Sequence, residues 1–182
     1  MLEKTLMQKK NLILDRDAAV LRATAKPVSE AEIGSAALLK VIAMMKKALH
    51  GEDDGVAIAA PQIGVSLRIF VVKGSTLALS SGATEEEAKA LPDFTFINPE
   101  ITKVSKKMKY VEEGCLSVRW LYGDVSRHEK VTVSAVAEDG KRFSVGASGL
   151  LAQIFQHEID HLDGVLFIDK AKNLRNLPPD EA

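Results

Sequence analysis

The stretch QHEIDHLDG, residues 156–164, sets two histidines four positions apart with a glutamate directly after the first. Residues four apart on an α-helix lie about 40° apart around its axis, so His157 and His161 point the same way. Glu158 projects between them and to one side, near a shared ion yet able to stay off it. The pair is useful only if the segment is helical and a third ligand reaches it from elsewhere. That demand constrains the fold more than any other feature of the chain.

Two imidazoles suit zinc, iron, nickel or cobalt, and a neighbouring carboxylate can take a proton from water activated by the ion. The histidine-rich peptidase pattern HExxHxxGxxH matches as far as Gly164, but its third histidine would fall at Phe167, which cannot ligate. Thermolysin-like sites take a glutamate well downstream of the second histidine. Here the only later glutamate is Glu181, in a proline-containing polar tail. The third ligand is therefore expected upstream, at the chain's single cysteine, Cys115, in EEGCLSV. A thiolate is a strong ligand for soft or borderline ions, and Gly114 lets the backbone come close. Cys115, His157 and His161 leave one position of a tetrahedral shell open, the pattern of a catalytic rather than a structural site. His50 and His128 have no such spacing to another ligand and are expected to be solvated or capping residues.

One cysteine excludes an intramolecular disulfide framework. A formal net charge of -1 gives no overall attraction to nucleic acid or an anionic membrane. The first residues, MLEKTLMQKKNLILDRD, contain no apolar run long enough for a signal peptide or membrane span, so a cytoplasmic protein is expected. At 182 residues the chain suits one domain, 1–182, with residues 170–182 read as a polar tail.

SEAEIGSAALLKVIAMMKKALHG reads as a scaffold helix with a Ser29–Glu32 capping box, Gly51 past its end, and a stripe of Leu38, Leu39, Ile42, Met45 and Leu49. Five strand-like segments follow: RIFVVK, FTFINPEIT, KMKYVEE, KVTVSAVAED and KRFSVG. Asp139-Gly140 marks a tight hairpin. Thr84 and Glu87 cap a short helix in an inserted loop. The second long helix runs from about Ser148 to about Leu162, with Leu150, Leu151, Ile154 and Phe155 as its apolar stripe. Strands blocked between helices predict an α+β fold, mainly antiparallel sheets packed around a C-terminal metal-binding helix, with an N-terminal scaffold helix.

A carbonyl under attack by water needs donors for its developing oxyanion. GVAIAAPQIG, residues 55–64, offers small residues and then Gln62 at a proline-fixed turn, and the backbone N–H of Leu116 is a second candidate donor. GVAIAAPQIG, EGCLS and QHEIDH, in that order, resemble the three signature motifs of the peptide deformylases. VLRATAKPV, FINPEI and SGLLAQIFQHEIDHLDGVLFID are also similar to that family, so the resemblance runs from roughly Ile13 to Asp169.

The resemblance implies removal of the formyl group from the N-terminal formyl-methionine of nascent chains; transient ribosome contact is a separate expectation that the sequence itself does not reveal. It implies one divalent ion on Cys115, His157 and His161, commonly Fe(II) in the cell, with Zn(II), Ni(II) or Co(II) able to substitute. Glu158 would be the general base, with Gln62 and the Leu116 N–H holding the oxyanion. Val56, Ala57 and Gly114 would line the substrate strand and the methionine pocket. Glu113 and Arg127 resemble a supporting pair beside the cysteine, although an ordinary surface ion pair reads the same way.

The chain departs from the family pattern at two places. Ala57 and Ile58 stand where glycine and leucine are usual, so a Cβ is set against the substrate backbone. VRWLYGD follows the cysteine motif where many relatives continue with proline; Arg119 and Trp120 there either border the cleft or simply pack. An endopeptidase with the same ligands, or a metal- or peptide-binding descendant without turnover, are the other readings of the motif set.

Overall fold

The computed structural model describes residues 12–80, 82 and 84–178. Residues 1–11, read above as lacking a leader, and the last four residues of the expected tail lie outside it. Two antiparallel sheets and two long helices make up the core of the fold, as the sequence predicts. The five-stranded sheet has the order β1 (Ala57–Ala59), β2 (Ile69–Val72), β3 (Phe94–Val104), β6 (Lys130–Val136), β7 (Arg142–Ser148). The three-stranded sheet has the order β4 (Met108–Cys115), β5 (Val118–His128), β8 (Lys172–Asn176).

The five-stranded sheet is covered on both faces, which explains why IFVV is apolar without alternation. Ile69 and Val71 pack with Ile42, Met45 and Leu49 of α1 (Ala36–His50), whereas Phe70 and Val72 pack with Leu151, Phe155 and Ile159 of α4 (Gly149–Leu162). Phe70 and Phe96 stack at 4.5 Å between ring centroids, and Phe155 meets Phe96 at 5.0 Å in a tilted pair. This aromatic cluster seats α4 on the sheet. The β6–β7 hairpin turns at Gly140, φ 83°, as Asp139-Gly140 predicts.

Several boundaries differ from the sequence expectation. Ser29 and Glu32 do exchange hydrogen bonds, but within an isolated turn. Gly34 then takes φ 79°, which no α-helix can pass through, and α1 starts after Ser35, whose side chain accepts from the Leu38 N–H. Gly51 ends α1 in the right-handed region rather than as a left-handed cap. Leu39 is 40% exposed and stands outside the stripe, its place taken by Ala48. The inserted segment holds two helices, α2 (Gly74–Ser80) and α3 (Glu85–Ala90), the second with the Thr84–Glu87 capping box in place. Residues 172–176, read as tail, form β8 against β5.

Gly164 fits its assignment. With φ 77° it closes α4 by a Schellman motif, the Val165 N–H bonding Asp160 O at 2.9 Å and the Gly164 N–H bonding His161 O at 3.2 Å. A Cβ there would sit 2.9 Å from the backbone of Arg22. Phe96→Ala, at the centre of the aromatic cluster, is expected to lower unfolding free energy by about 3–5 kcal/mol with the urea m-value unchanged. A loss below about 1 kcal/mol in urea denaturation would show that α4 does not depend on this cluster.

Candidate metal centre and active site

The last turns of α4 present His157 and His161 to the hairpin between β4 and β5. Cys115 ends β4 opposite Val118, with Leu116 and Ser117 as the intervening turn. One ligand atom each from Cys115, His157 and His161 lies within 4.8 Å of the other two. Cys115 Sγ is 3.2 Å from His161 Nε2. The fold therefore brings together the three residues that the sequence nominates as one ligand set.

A buried charge network holds this cluster. Glu113 Oε2 accepts from His157 Nδ1 at 2.9 Å, which leaves His157 Nε2 to face the cysteine. Arg127 grips the same carboxylate through Nε at 2.7 Å and Nη2 at 2.9 Å, and donates from Nη1 to Asp160 Oδ2 at 2.6 Å. The Glu113 and Arg127 side chains are only 1% and 5% exposed, so this is not a surface ion pair. Asp160, absent from the sequence reading, also accepts from Lys170 Nζ. Its signal was its place three residues past His157, on the same side of the helix.

The electrostatics follow from burial and proximity. Burial raises the Glu113 carboxyl, but hydrogen bonds from His157 and Arg127 overcome this and hold it at about 2. Burial likewise opposes a charged Cys115, yet His161 and His157 bring the thiol down to about 5, favouring the ligating thiolate. Burial disfavours a charged His157, but bonds to Cys115 and Glu113 raise it well above its ordinary value. Burial pushes Glu158 up to about 7 against the pull of the two histidines, with Cys115 and Glu113 adding to the rise.

Two buried atoms, Glu158 Oε2 and His161 Nδ1, have no hydrogen-bond partner. An unpartnered carboxylate oxygen beside a thiol and two imidazoles suits a cation and its associated water. The residues fit one metal ion. Gln62 is also aimed at this point. Its Oε1 accepts from the Ala59 N–H at 2.8 Å, which turns Nε2 toward Ser117 Oγ at 3.2 Å and Cys115 Sγ at 3.6 Å.

A cleft of about 300 Å³ opens from this cluster. Val56 and Ala57 line one side and Gly114 and Cys115 the other, with Ile154 and Leu150 of α4 along it. Gly114 has a packing reason to be glycine, because a Cβ would meet the Tyr122 ring at 2.7 Å. Leu150 is 54% exposed in this cleft and not part of the buried stripe of α4. Arg119 and Trp120 also border the opening. His50 pairs with Asp93 at 2.8 Å, and His128 Nδ1 lies 2.7 Å from Ser105 O, so neither joins the cluster.

Glu113→Gln keeps the side-chain shape but leaves the Arg127 charge short of its partner. It is expected to weaken metal binding about 10–100-fold in chelator competition, and to cost the apo-protein roughly 3 kcal/mol in urea. Unchanged affinity would remove Glu113 from the support of His157.

The polypeptide deformylase family model matches residues 10–177. A peptide deformylase of Symbiobacterium thermophilum is 42% identical over 168 residues, covering 92% of this chain and 70% of that one. The structure of a Synechococcus elongatus peptide deformylase with actinonin superposes with a TM-score of 0.76 at 35% identity, over 88% of this chain and 80% of that one. An Acinetobacter baumannii peptide deformylase bound to Met-Ala-Ser gives 0.74 at 33% identity, over 87% and 96%. With the cysteine and the two histidines gathered at the buried end of a cleft, and the match running through nearly the whole length, the chain belongs to the polypeptide deformylase family.

Proposed function

We propose that the protein is a metal-dependent hydrolase that removes the N-formyl group from the N-terminal formyl-methionine of newly synthesised polypeptides, releasing formate. The observation that carries this reading is the cluster of Cys115, His157 and His161 beside the unpartnered Glu158 Oε2. Cys115 Sγ and the Nε2 atoms of both histidines would hold one divalent ion. Bound there, that ion supplies Lewis-acid polarisation and makes water a nucleophile near neutral pH. The family resemblance points to Fe(II) as the ion in the cell, with Zn(II), Ni(II) or Co(II) able to replace it because the same donors accept them.

The chain's own groups do the rest. Glu158 Oε2 accepts a proton from the attacking water as its oxygen bonds to the formyl carbon. The carbonyl oxygen, now negative, accepts from Gln62 Nε2 and from the backbone N–H of Leu116. Glu158 then returns the proton to the amine nitrogen as the C–N bond breaks, giving a free N-terminus and formic acid, which loses its remaining proton to solvent as formate.

The peptide's path is supported by sheet topology. β1 is an edge strand of the larger sheet and β4 an edge strand of the smaller one, and both line the cleft. An extended peptide can pair with such an edge through its main chain, with Val56, Ala57 and Gly114 alongside. Main-chain pairing is indifferent to most side chains, which fits a substrate set of nascent proteins. The Met-Ala-Ser complex of the Acinetobacter enzyme is in keeping with this path. Nascent substrates imply transient ribosome contact and a cytoplasmic setting. No helix among the described residues is long and apolar enough to cross a membrane.

Glu158→Ala is expected to retain one equivalent of metal while formate release from a formyl-methionyl peptide falls at least about 10²-fold. Activity near wild type would remove Glu158 as the base. Gln62→Leu should lower kcat by about 10²–10³-fold with KM little changed, since the oxyanion exists only during reaction. An effect confined to KM would make Gln62 a substrate-binding residue instead.

A further inference from the structure

The wall of the cleft beside Cys115 is built in an unusual way. Between the pairs Glu113↔Gly123 and Cys115↔Val118, β4 supplies one residue, Gly114, whereas β5 supplies four, residues 119–122. Such bulges re-aim side chains and recur next to active sites. Within this one, Trp120 takes φ 65°. The other non-glycine residues with positive φ among the described residues are Asn98 and Asn173, a residue type that tolerates it. A bulky aromatic in this region carries a conformational cost that the surroundings must offset.

The surroundings hold the indole in place without hiding it. The Trp120 carbonyl accepts from the Leu177 N–H at 2.7 Å. Arg119 lies 5.7 Å from the ring centroid and is itself tied to the loop ahead of β1, through Asp54 at 2.9 Å and through Glu52. Its charge is thus balanced by two carboxylates while it lies over the ring. Trp120 nonetheless remains 40% exposed. Val56 and Leu150, two more exposed apolar side chains, line the same opening. Exposed apolar groups gathered at a cleft mouth mark a binding surface.

Given the deformylase reading, on which this rests, the formyl group sits at the buried metal end and the peptide leaves through this mouth. We propose that Trp120, held by Arg119 and its two carboxylates, is a specificity-determining platform for an apolar side chain within the two residues that follow methionine. Apolar or aromatic residues there bind by packing against the exposed part of the indole. Small or acidic ones gain nothing from it.

Trp120 is the only tryptophan in the chain, so its emission reports on this wall directly. The experiment titrates the protein with the unformylated peptides Met-Phe-Ala, Met-Ala-Phe and Met-Ala-Ala, and measures kcat/KM for their formylated forms. Trp120→Gly, which also relieves the left-handed backbone, and Trp120→Phe, which keeps an aromatic ring, are assayed alongside. The expected result is a shift of emission with a phenylalanine peptide and not with Met-Ala-Ala. The wild-type preference for that peptide should fall about tenfold in Trp120→Gly through KM, and be largely restored in Trp120→Phe. Equal emission responses, or a uniform loss of rate on all three substrates, would overturn the platform and leave Trp120 with a structural role only. Absence of formate from every formyl peptide, with the selective emission shift intact, would count against the deformylase reading alone.

Discussion

A carboxylate with almost no access to water, Glu113, is shared between the guanidinium of Arg127 and the ring of His157. Everything at the centre depends on it. It fixes which ring nitrogen of His157 carries a proton and therefore which one can bind an ion. It joins β4 to β5 through Arg127, and Arg127 reaches on to Asp160, so strand hairpin and helix are set relative to each other by charge as well as by packing. Removing two ions from water is costly unless each finds several partners. Here Arg127 has two carboxylates, and Glu113 has the Arg127 guanidinium and the His157 N–H, so the cost is offset and the geometry is held.

The aromatic cluster supplies the other half of the positioning. Phe70, Phe96 and Phe155 seat α4 on the larger sheet, while the charge network ties the same helix to the smaller one. The cleft is the space left between two sheets that approach each other at their edges. A free edge is normally a liability for aggregation. On the proposed peptide path, two edges bordering one narrow opening turn that liability into a place for a third, transient strand.

Much of this was legible in the sequence where one physical rule dominated. The HExxH spacing, the Asp139-Gly140 turn and the Gly164 cap each demand one local conformation, and each adopts it. The β5 strand was hidden because its inward positions include Gly123 and the charged Arg127, so the hydrophobic alternation that announces a strand is absent. The β8 strand has no inward face, every residue being exposed, and only its pairing with β5 makes it a strand. α1 begins late because one residue, Gly34, takes a left-handed turn that no periodicity could reveal. Leu39 and Leu150 satisfied the helical spacing, but their sides of the helix face solvent and the cleft. At the centre, the histidine pair was nominated by its spacing and Cys115 as the single cysteine, whereas the depth of Glu113 and the reach of Arg127 depend on tertiary contact.

Cys115 and His161 are 46 residues apart in the chain. No short segment can hold their ion, and an unfolded chain would have to close a long loop to do so. Ion binding is therefore coupled to the native state. By mass action, a free ion concentration 100 times its dissociation constant adds about 2.7 kcal/mol to stability. The abundance of the folded protein is thus linked to the supply of its metal, and scarcity of the ion removes molecules as well as turnover.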